Sequence, residues 1–209
     1  MLRIILSILM FSSVCYAQLK INRVALIDTG YNTQPMVNLC PDGHYDFVTN
    51  KEIIPSDTNG HGTYMARIIA ANAEKPFCII VLKVFFASDI EDSISKAILR
   101  AIKYKVDIIN MSLNGAKPLK KEHNALRTAL KSKIKIFVAA GNDGKNLDLD
   151  CSAYPACYKD LKLNVVGGFD SRSNTGSIIT QFDEFCYEDI CGTSVSTAIA
   201  TGKYLWKSY

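Results

Sequence analysis

Three residues of the chain carry side chains that together are able to cleave an acyl bond. Asp28 follows a run of β-forming residues, whereas His61 and Ser194 each stand where a helical pattern begins. A serine hydroxyl becomes a nucleophile when a neutral imidazole accepts its proton and a carboxylate orients that imidazole. At a helix N-terminus, free backbone N–H groups also favour the negative charge that this reaction develops. Each residue alone is more simply explained as a turn residue or a helix cap, so the hypothesis depends on the set.

The segment around Ser194 predicts a turn followed by a helix. Gly192 and Thr193 are typical of a tight turn, and the residues after Ser194 place four apolar side chains on one helical face: Ala198, Ile199, Leu205 and Trp206. Ser194 is therefore expected at or near the helix N-terminus.

Runs of β-forming residues alternate with amphipathic segments along most of the chain. The predicted strands cover residues 21–27, 77–86, 106–113, 134–140 and 161–166, with a short candidate at 44–48. The predicted helices cover residues 64–72, 90–104 and 119–131, and a further helix follows Ser194. Mostly apolar strands that alternate with helices predict a three-layer α/β fold, in which helices cover both faces of a mostly parallel central sheet. The two remaining histidines, His44 and His123, are predicted to be solvated polar residues.

The first 17 residues are typical of a secretory signal peptide. Arg3 gives a positive start, an apolar run follows, and Ala17 supplies the small residue at the cut. The apolar run is too short for a membrane span. A lipoprotein cut before Cys15 is the alternative, which the bulky Val14 disfavours.

Residues 18–209 are expected to form one exported domain, secreted or periplasmic. The chain lacks low-complexity runs, repeats and linker-like segments. Removal of Arg3 lowers the net charge from +4 to +3, with 23 Lys and Arg against 20 Asp and Glu. This charge is too small to indicate a nucleic acid or an anionic membrane as partner.

Six cysteines follow the predicted signal peptide: Cys40, Cys78, Cys151, Cys157, Cys186 and Cys191. An even number in an exported chain favours disulfides, although the sequence leaves their pairing open. Two local pairs are expected, Cys151–Cys157 and Cys186–Cys191, which leaves Cys40 and Cys78 for the third. A zinc site is the competing interpretation, and it ranks lower because no CxxC pair or Cys/His cluster is present.

Five short motifs resemble those of the subtilisin-like serine proteases, the subtilases. Residues 24–30, 59–63 and 192–196 are similar to the segments that carry the family's aspartate, histidine and serine. Residues 138–142 are similar to the segment of its oxyanion asparagine, and residues 110–115 to the edge that pairs with the substrate backbone. The order Asp, His, Ser is that of subtilisin.

The resemblance implies a subtilisin-like fold and a serine endopeptidase that works by acyl transfer. Ser194 would attack a peptide carbonyl while His61 takes its proton and later protonates the leaving amine. Asp28 would orient His61. The Asn142 side-chain amide and the Ser194 backbone N–H would bind the oxyanion.

The resemblance also implies where a polypeptide substrate binds. The main-chain groove would follow the edge formed by residues 112–115. The primary pocket would lie between that edge and residues 139–141, with Gly167 and Gly168 at its floor. The expected substrate-binding residues are Ser112, Leu113, Asn114, Gly115, Ala139, Ala140 and Gly141. No cofactor is implied. The family makes a calcium site possible, but the acidic residues near 143–150 lack an EF-hand pattern. The protein is expected to be a monomer that binds neither nucleic acid nor membrane.

The sequence departs from the family pattern in several places. Ala198 stands where a proline is usual, and Arg67 where a glycine is usual. The chain ends at residue 209, 15 residues after Ser194, and no pro-segment fits between residue 17 and the first strand. These departures sustain a second hypothesis, a catalytically inactive subtilase-like binding domain. An α/β esterase ranks last, because the Gly-x-Ser-x-Gly pattern is absent around Ser194.

Overall fold

The structure is a computed structural model that describes residues 20–33, 36–168, 172–182, 186–187 and 190–207. The predicted signal peptide, residues 1–17, lies outside the described residues. Within the described ranges, no helix combines the length and the apolar character that a membrane crossing needs.

The centre of the molecule is a seven-stranded sheet in the order β2-β3-β1-β4-β5-β6-β7, in which every pairing is parallel. Its strands are Asn22–Asp28 (β1), Tyr45–Asp46 (β2), Phe77–Lys83 (β3), Ile108–Met111 (β4), Lys135–Ala139 (β5), Asn164–Gly167 (β6) and Gln181–Phe182 (β7). A separate antiparallel pair contains Cys186–Tyr187 (β8) and Ile190–Cys191 (β9). Because the central strands are parallel, the residues that end β1, β4 and β5 lie along one edge of the sheet.

Four helices cover the two faces of this sheet: His61–Ala71 (α1), Ile90–Lys103 (α2), Lys120–Lys131 (α3) and Thr193–Lys207 (α4). Alternate strand residues point to opposite faces. Ala25 and Ile27 belong to the apolar cluster that contains α2 and α3, whereas Val24 and Leu26 belong to the cluster that contains α1 and α4. The predicted three-layer α/β fold is therefore confirmed.

Each strand and helix expected from the sequence is present, with ends that differ by a few residues. The helix of residues 64–72 begins earlier, at His61, and the strand of residues 77–86 ends earlier, at Lys83. The two-residue strands β7, β8 and β9 were not predicted, because segments so short show no periodicity.

Three disulfides join the cysteines in the expected pairs: Cys40–Cys78, Cys151–Cys157 and Cys186–Cys191. The first links the segment before β2 to β3, and the other two close loops within one segment of chain. The third lies directly before Gly192, where the turn into α4 begins.

The prediction that His44 is solvated is wrong. Its side chain is buried; Nδ1 accepts a hydrogen bond from the Val81 N–H (3.0 Å), and Nε2 lies 2.8 Å from the Cys40 carbonyl. Burial lowers the pKa of His44, against the opposing effect of the Cys40 carbonyl. The ring is thus a neutral structural group whose proton is on Nε2. His123 is partly buried and contacts the Asp160 carboxylate at 3.0 Å.

Helix α3 contains a buried carboxyl group. Glu122 is 2% exposed and accepts a hydrogen bond from the Tyr158 hydroxyl (2.9 Å). Burial raises its pKa from 4.5 to about 7, because the Tyr158 bond opposes this shift only in part and the charge of Glu91 adds to it. The folded protein therefore keeps a proton on Glu122 at pH values where the unfolded chain has released it.

We expect Glu122→Gln to make the protein more stable at neutral and alkaline pH. The raised pKa contributes stability that is fully present below pH 4.5 and is lost as the pH rises through about 7. The neutral glutamine avoids this loss, so at about pH 8 the variant's free energy of unfolding should exceed the parent's by up to about 3 kcal/mol. Urea unfolding across this pH range measures the difference. Glu74→Gln, at an exposed position, is the control, and an equal gain in both variants would contradict the expectation.

Candidate active site

Asp28 and His61 form a hydrogen-bonded pair at the C-terminal edge of the sheet. Asp28 ends β1 and is fully buried, and His61 is the first residue of α1. The Asp28 Oδ1 atom accepts hydrogen bonds from His61 Nδ1 and from the Thr29 backbone N–H, both at 2.7 Å. Because Nδ1 donates its proton to a carboxylate, Nε2 of the neutral ring is free of a proton and can act as a base.

A second buried carboxylate holds the start of α1. Asp57 accepts hydrogen bonds from the Thr29 hydroxyl (3.0 Å), the Gly60 N–H (2.8 Å), and both the N–H (2.9 Å) and the hydroxyl (2.7 Å) of Thr63. Burial alone would raise the pKa of Asp57, but these bonds outweigh it and lower the pKa. The Thr29 hydroxyl also accepts the Gly62 N–H (2.9 Å), so the turn after β1 and the start of α1 form one unit.

Gly62 allows this close packing. A Cβ atom at this position would lie 2.4 Å from the Gly30 carbonyl oxygen and 3.1 Å from Asp28 Oδ1. Any other residue would separate α1 from the end of β1, and with it His61 from Asp28.

Ser194 is the second residue of α4 and is partly exposed. Its hydroxyl donates a hydrogen bond to the Ser112 carbonyl (3.0 Å), just beyond the end of β4. Ser194 and His61 line the same cleft, which has a volume of about 450 Å³. Since a hydroxyl has a single proton, that proton must turn away from Ser112 before His61 can accept it.

Asn142 lies beside the start of α4. Its Oδ1 atom accepts the Thr193 N–H (2.9 Å), and this backbone donor fixes which side of the amide carries the oxygen. The amide nitrogen is therefore on the other side, and the residue is exposed and lines the cleft. The Thr193 hydroxyl in turn accepts the Gly141 N–H (3.1 Å), which ties the end of β5 to α4.

Five of the seven residues predicted to bind substrate line this cleft: Ser112, Leu113, Asn114, Ala139 and Gly141. The other two are outside its lining. Gly115 exchanges two backbone hydrogen bonds of 2.8 Å with Tyr154, and Ala140 is fully buried. Gly167 and Gly168, expected at the pocket floor, are also outside this lining, and a Cβ atom at Gly167 would lie 2.9 Å from Ile179 Cδ1.

Residues 22–205 match the model of the Subtilase family. The chain belongs to the subtilase family.

This subtilase is similar to named bacterial proteases. It is 34% identical over 154 residues to the intracellular serine protease of Paenibacillus polymyxa, covering 66% of this chain and 47% of that protein. It is 29% identical over 218 residues to the major intracellular serine protease of Bacillus subtilis (strain 168), covering 90% of this chain and 68% of that one. The chain therefore spans about half to two thirds of the length of these relatives.

The fold is that of solved subtilisin-like structures. A cold adapted subtilisin-like serine proteinase superposes with a TM-score of 0.66 at 26% identity, covering 86% of this chain and 72% of that one. The fold thus agrees with the resemblance found in the sequence.

Several residues that shape the site were not singled out from the sequence. Asn174 is fully buried, and its amide donates to the Ala140 carbonyl (2.7 Å) while its oxygen accepts the Lys145 N–H (2.8 Å). A Cβ at Gly141, where φ is 95°, would lie 2.4 Å from Asn114 Nδ2 and 2.7 Å from Asn174 Nδ2. Asn174 therefore holds the loop after β5 in place, and no local sequence pattern indicates this role.

Two aromatic residues after β3 form another wall of the cleft. Phe85 is partly buried and Phe86 is 64% exposed, with their ring centroids 6.5 Å apart. Phe86 has φ of 73°, which a bulky residue rarely adopts. Phe86 thus presents an exposed aromatic side chain to the cleft that His61 also lines.

The two substitutions relative to the family pattern, Ala198 and Arg67, are accommodated. Ala198 is fully buried within α4 and continues the helix. Arg67 is partly buried, and its guanidinium carbon lies 5.9 Å from the centroid of the Tyr64 ring. Among the described residues, His, Cys, Asp and Glu side chains do not form any group of three or more suited to hold a metal ion.

Proposed function

We propose that this subtilase is a serine endopeptidase in which Ser194, His61 and Asp28 form the catalytic triad. The observation that carries the proposal is the 2.7 Å hydrogen bond between buried Asp28 and His61, on the wall of the cleft that also contains Ser194. Ser194 attacks the peptide carbonyl, and His61 Nε2 accepts the hydroxyl proton and then donates it to the leaving amine. The acyl-enzyme is released by water.

The oxyanion of the tetrahedral intermediate is bound by the Asn142 amide and the Ser194 backbone N–H. The Thr193 N–H holds Asn142 by its oxygen (2.9 Å), which leaves the amide nitrogen as the donor. Ser194 stands in the first turn of α4, where free N–H groups and the helix dipole favour a negative charge.

The substrate backbone pairs along residues 112–114. An incoming substrate N–H competes for the Ser112 carbonyl, which accepts the Ser194 hydroxyl in the free protein. Substrate binding thereby favours rotation of the hydroxyl toward His61. Phe85 and Phe86 favour an apolar substrate side chain next to the scissile bond, which mapping of cleavage sites in a protein digest would test.

The alternative is a catalytically inactive binding domain with the same fold. A domain that only binds does not need a carboxylate buried against an imidazole. Burying such a charge costs free energy even when it is paired, so its presence indicates a catalytic use. The Asp28–His61 bond therefore favours the enzyme over the binding domain.

A serine-directed fluorophosphonate tests the proposal directly. We expect one label on Ser194 in the oxidised, signal-free protein, located by peptide mapping, together with hydrolysis of casein. Ser177→Ala, at an exposed serine outside the lining of the cleft, should keep both properties. A folded parent protein that neither reacts with the probe nor cleaves casein would favour the binding domain.

We also propose that residues 1–17 are a signal peptide and that the protein is exported. Three disulfides support an oxidising compartment, although both relatives described above are named as intracellular proteases. Deletion of residues 2–17 should keep the protein inside the cell with reduced cysteines. Equal export of both forms would contradict this proposal.

The pH dependence of hydrolysis should show that His61 is a perturbed base. Burial lowers the pKa of His61, but the hydrogen bond to Asp28 and the charges of Asp28 and Asp57 outweigh it, and the pKa is raised above 6.5. Because the base acts only when neutral, kcat/KM should fall as the pH decreases, with a midpoint above 6.5. The profile is measured with a small uncharged peptide substrate. A midpoint at or below 6.5 would be inconsistent with this geometry.

A further inference from the structure

A chain of buried hydrogen bonds connects the middle of α4 to the backbone of Ser194. The Thr201 hydroxyl donates to Asn110 Oδ1 (2.9 Å), and Asn110 Nδ2 donates to the Ser112 hydroxyl oxygen (3.0 Å). The Ser112 hydroxyl then donates to the Ser194 carbonyl (3.0 Å). Thr201 and Asn110 are fully buried, and Ser112 is 3% exposed.

The direction of this chain is fixed by proton counting. Ser112 has one hydroxyl proton, which it uses on the Ser194 carbonyl, so it can only accept from Asn110. The Asn110 amide nitrogen therefore faces Ser112 and its oxygen faces Thr201. Thr201 must then donate to Asn110, and it is the first donor in this series of hydrogen bonds.

Asn110 occupies a position that would otherwise be apolar. It lies in β4 with Leu26 and Phe137 as its neighbours in the sheet, and both belong to the apolar cluster beneath α1 and α4. An amide in such a place costs free energy unless its donors and acceptors are paired. Here the Asn110 nitrogen is paired with Ser112, which leads to Ser194 at the start of α4, and its oxygen is paired with Thr201 in the middle of α4.

We propose that Thr201 and Asn110 are positioning residues for Ser194, acting through the Ser112 hydroxyl. The inference rests on the proposed function of Ser194. Without the Thr201 hydroxyl, Asn110 Oδ1 is left buried without its donor, whereas a turned amide would leave Nδ2 without an acceptor. Nothing then fixes the amide orientation that donates to Ser112. Whenever the amide turns over, the Ser112 proton leaves the Ser194 carbonyl, and Ser194 loses one of its two hydrogen bonds to Ser112. Nucleophile and substrate edge are thus held in register by a residue seven positions beyond the nucleophile.

Thr201→Val tests the proposal, because it removes the hydroxyl and keeps the shape. We expect kcat to fall by at least about tenfold while KM changes by less than about twofold, since small misplacements of a reacting group reduce the rate strongly. Thr201→Ser should restore kcat. Thr197→Val is the matched control: it removes another buried hydroxyl of α4, whose 2.6 Å bond to the Thr193 carbonyl stays within the helix.

Ser112→Ala removes the last hydroxyl of the same series of hydrogen bonds and provides a second measurement. If both residues act through one chain, the double variant Thr201→Val/Ser112→Ala should be no slower than the slower single variant. Multiplying losses, or equal kcat in Thr201→Val and Thr197→Val, would overturn the proposal.

A signal independent of hydrolysis separates this inference from the proposed function. In the parent and in Thr201→Ser, the side-chain N–H protons of Asn110 should exchange slowly with solvent in NMR spectra, and in Thr201→Val they should exchange faster. A parent that is inactive toward casein and fluorophosphonate refutes the protease. Unchanged exchange in Thr201→Val refutes the positioning chain.

Discussion

Replacing Ser194 with alanine is expected to remove almost all hydrolytic activity, and His61→Ala should be equally severe. Each change should lower kcat by roughly 10⁶, and the double variant should be no slower than either single variant, because the residues of a triad act as one unit. Steady-state kinetics on a chromogenic peptide measure these losses. Ser194 is partly exposed, so Ser194→Ala should unfold at a similar temperature to the parent.

The control for this pair is Ser177→Ala, which removes an exposed serine outside the cleft and should keep the parent kcat. Losses that multiply in the double variant would mean that Ser194 and His61 do not share a reaction step. Activity within about tenfold of the parent in Ser194→Ala would remove it as the nucleophile.

Asp28→Asn is expected to lower kcat by about 10⁴ while it leaves the fold intact. The neutral amide cannot stabilise the imidazolium that forms when His61 accepts the Ser194 proton. The change also removes the carboxylate charge of Asp28, which raises the pKa of His61 in the parent. The fall in the residual kcat/KM at acidic pH should therefore have its midpoint at a lower pH than in the parent.

Asp46→Asn is the matched control for Asp28→Asn. Asp46 is a buried carboxylate at the end of β2, where it accepts backbone N–H groups of Val48 (2.8 Å) and Thr49 (3.2 Å). Its replacement should lower stability and leave kcat near the parent value. If the midpoint of the acidic fall in kcat/KM is the same in Asp28→Asn as in the parent, the role given to Asp28 beside His61 is contradicted.

The elements with a clear apolar pattern could be predicted from the sequence, and so could the side chains at their ends. The parallel arrangement places Asp28 at a strand end and His61 and Ser194 at helix starts, which the spacing of apolar residues already indicates. The three disulfide pairs also followed the expectation, because two of them join neighbours in sequence.

What the sequence did not reveal depends on contacts between distant segments. The His44 ring is satisfied by the nearby Cys40 carbonyl and by the N–H of Val81 in β3, which is 37 positions away in sequence. Asn110 and Thr201 are 91 positions apart, so no local pattern relates them. The positive φ of Phe86 was likewise not predicted, because the residues around it are typical of a strand.

The order of elements along the chain has a consequence for biosynthesis. Every strand of the large sheet precedes Ser194, and α4 packs beside α1 and the ends of β4, β5 and β6. Asp28 and His61 are therefore synthesised well before the nucleophile, which is the last member of the proposed triad to leave the ribosome. Docking of α4 then supplies the hydroxyl and half of the oxyanion site in one late step. The proposed protease would be harmless to the growing chain and its surroundings until that step is complete.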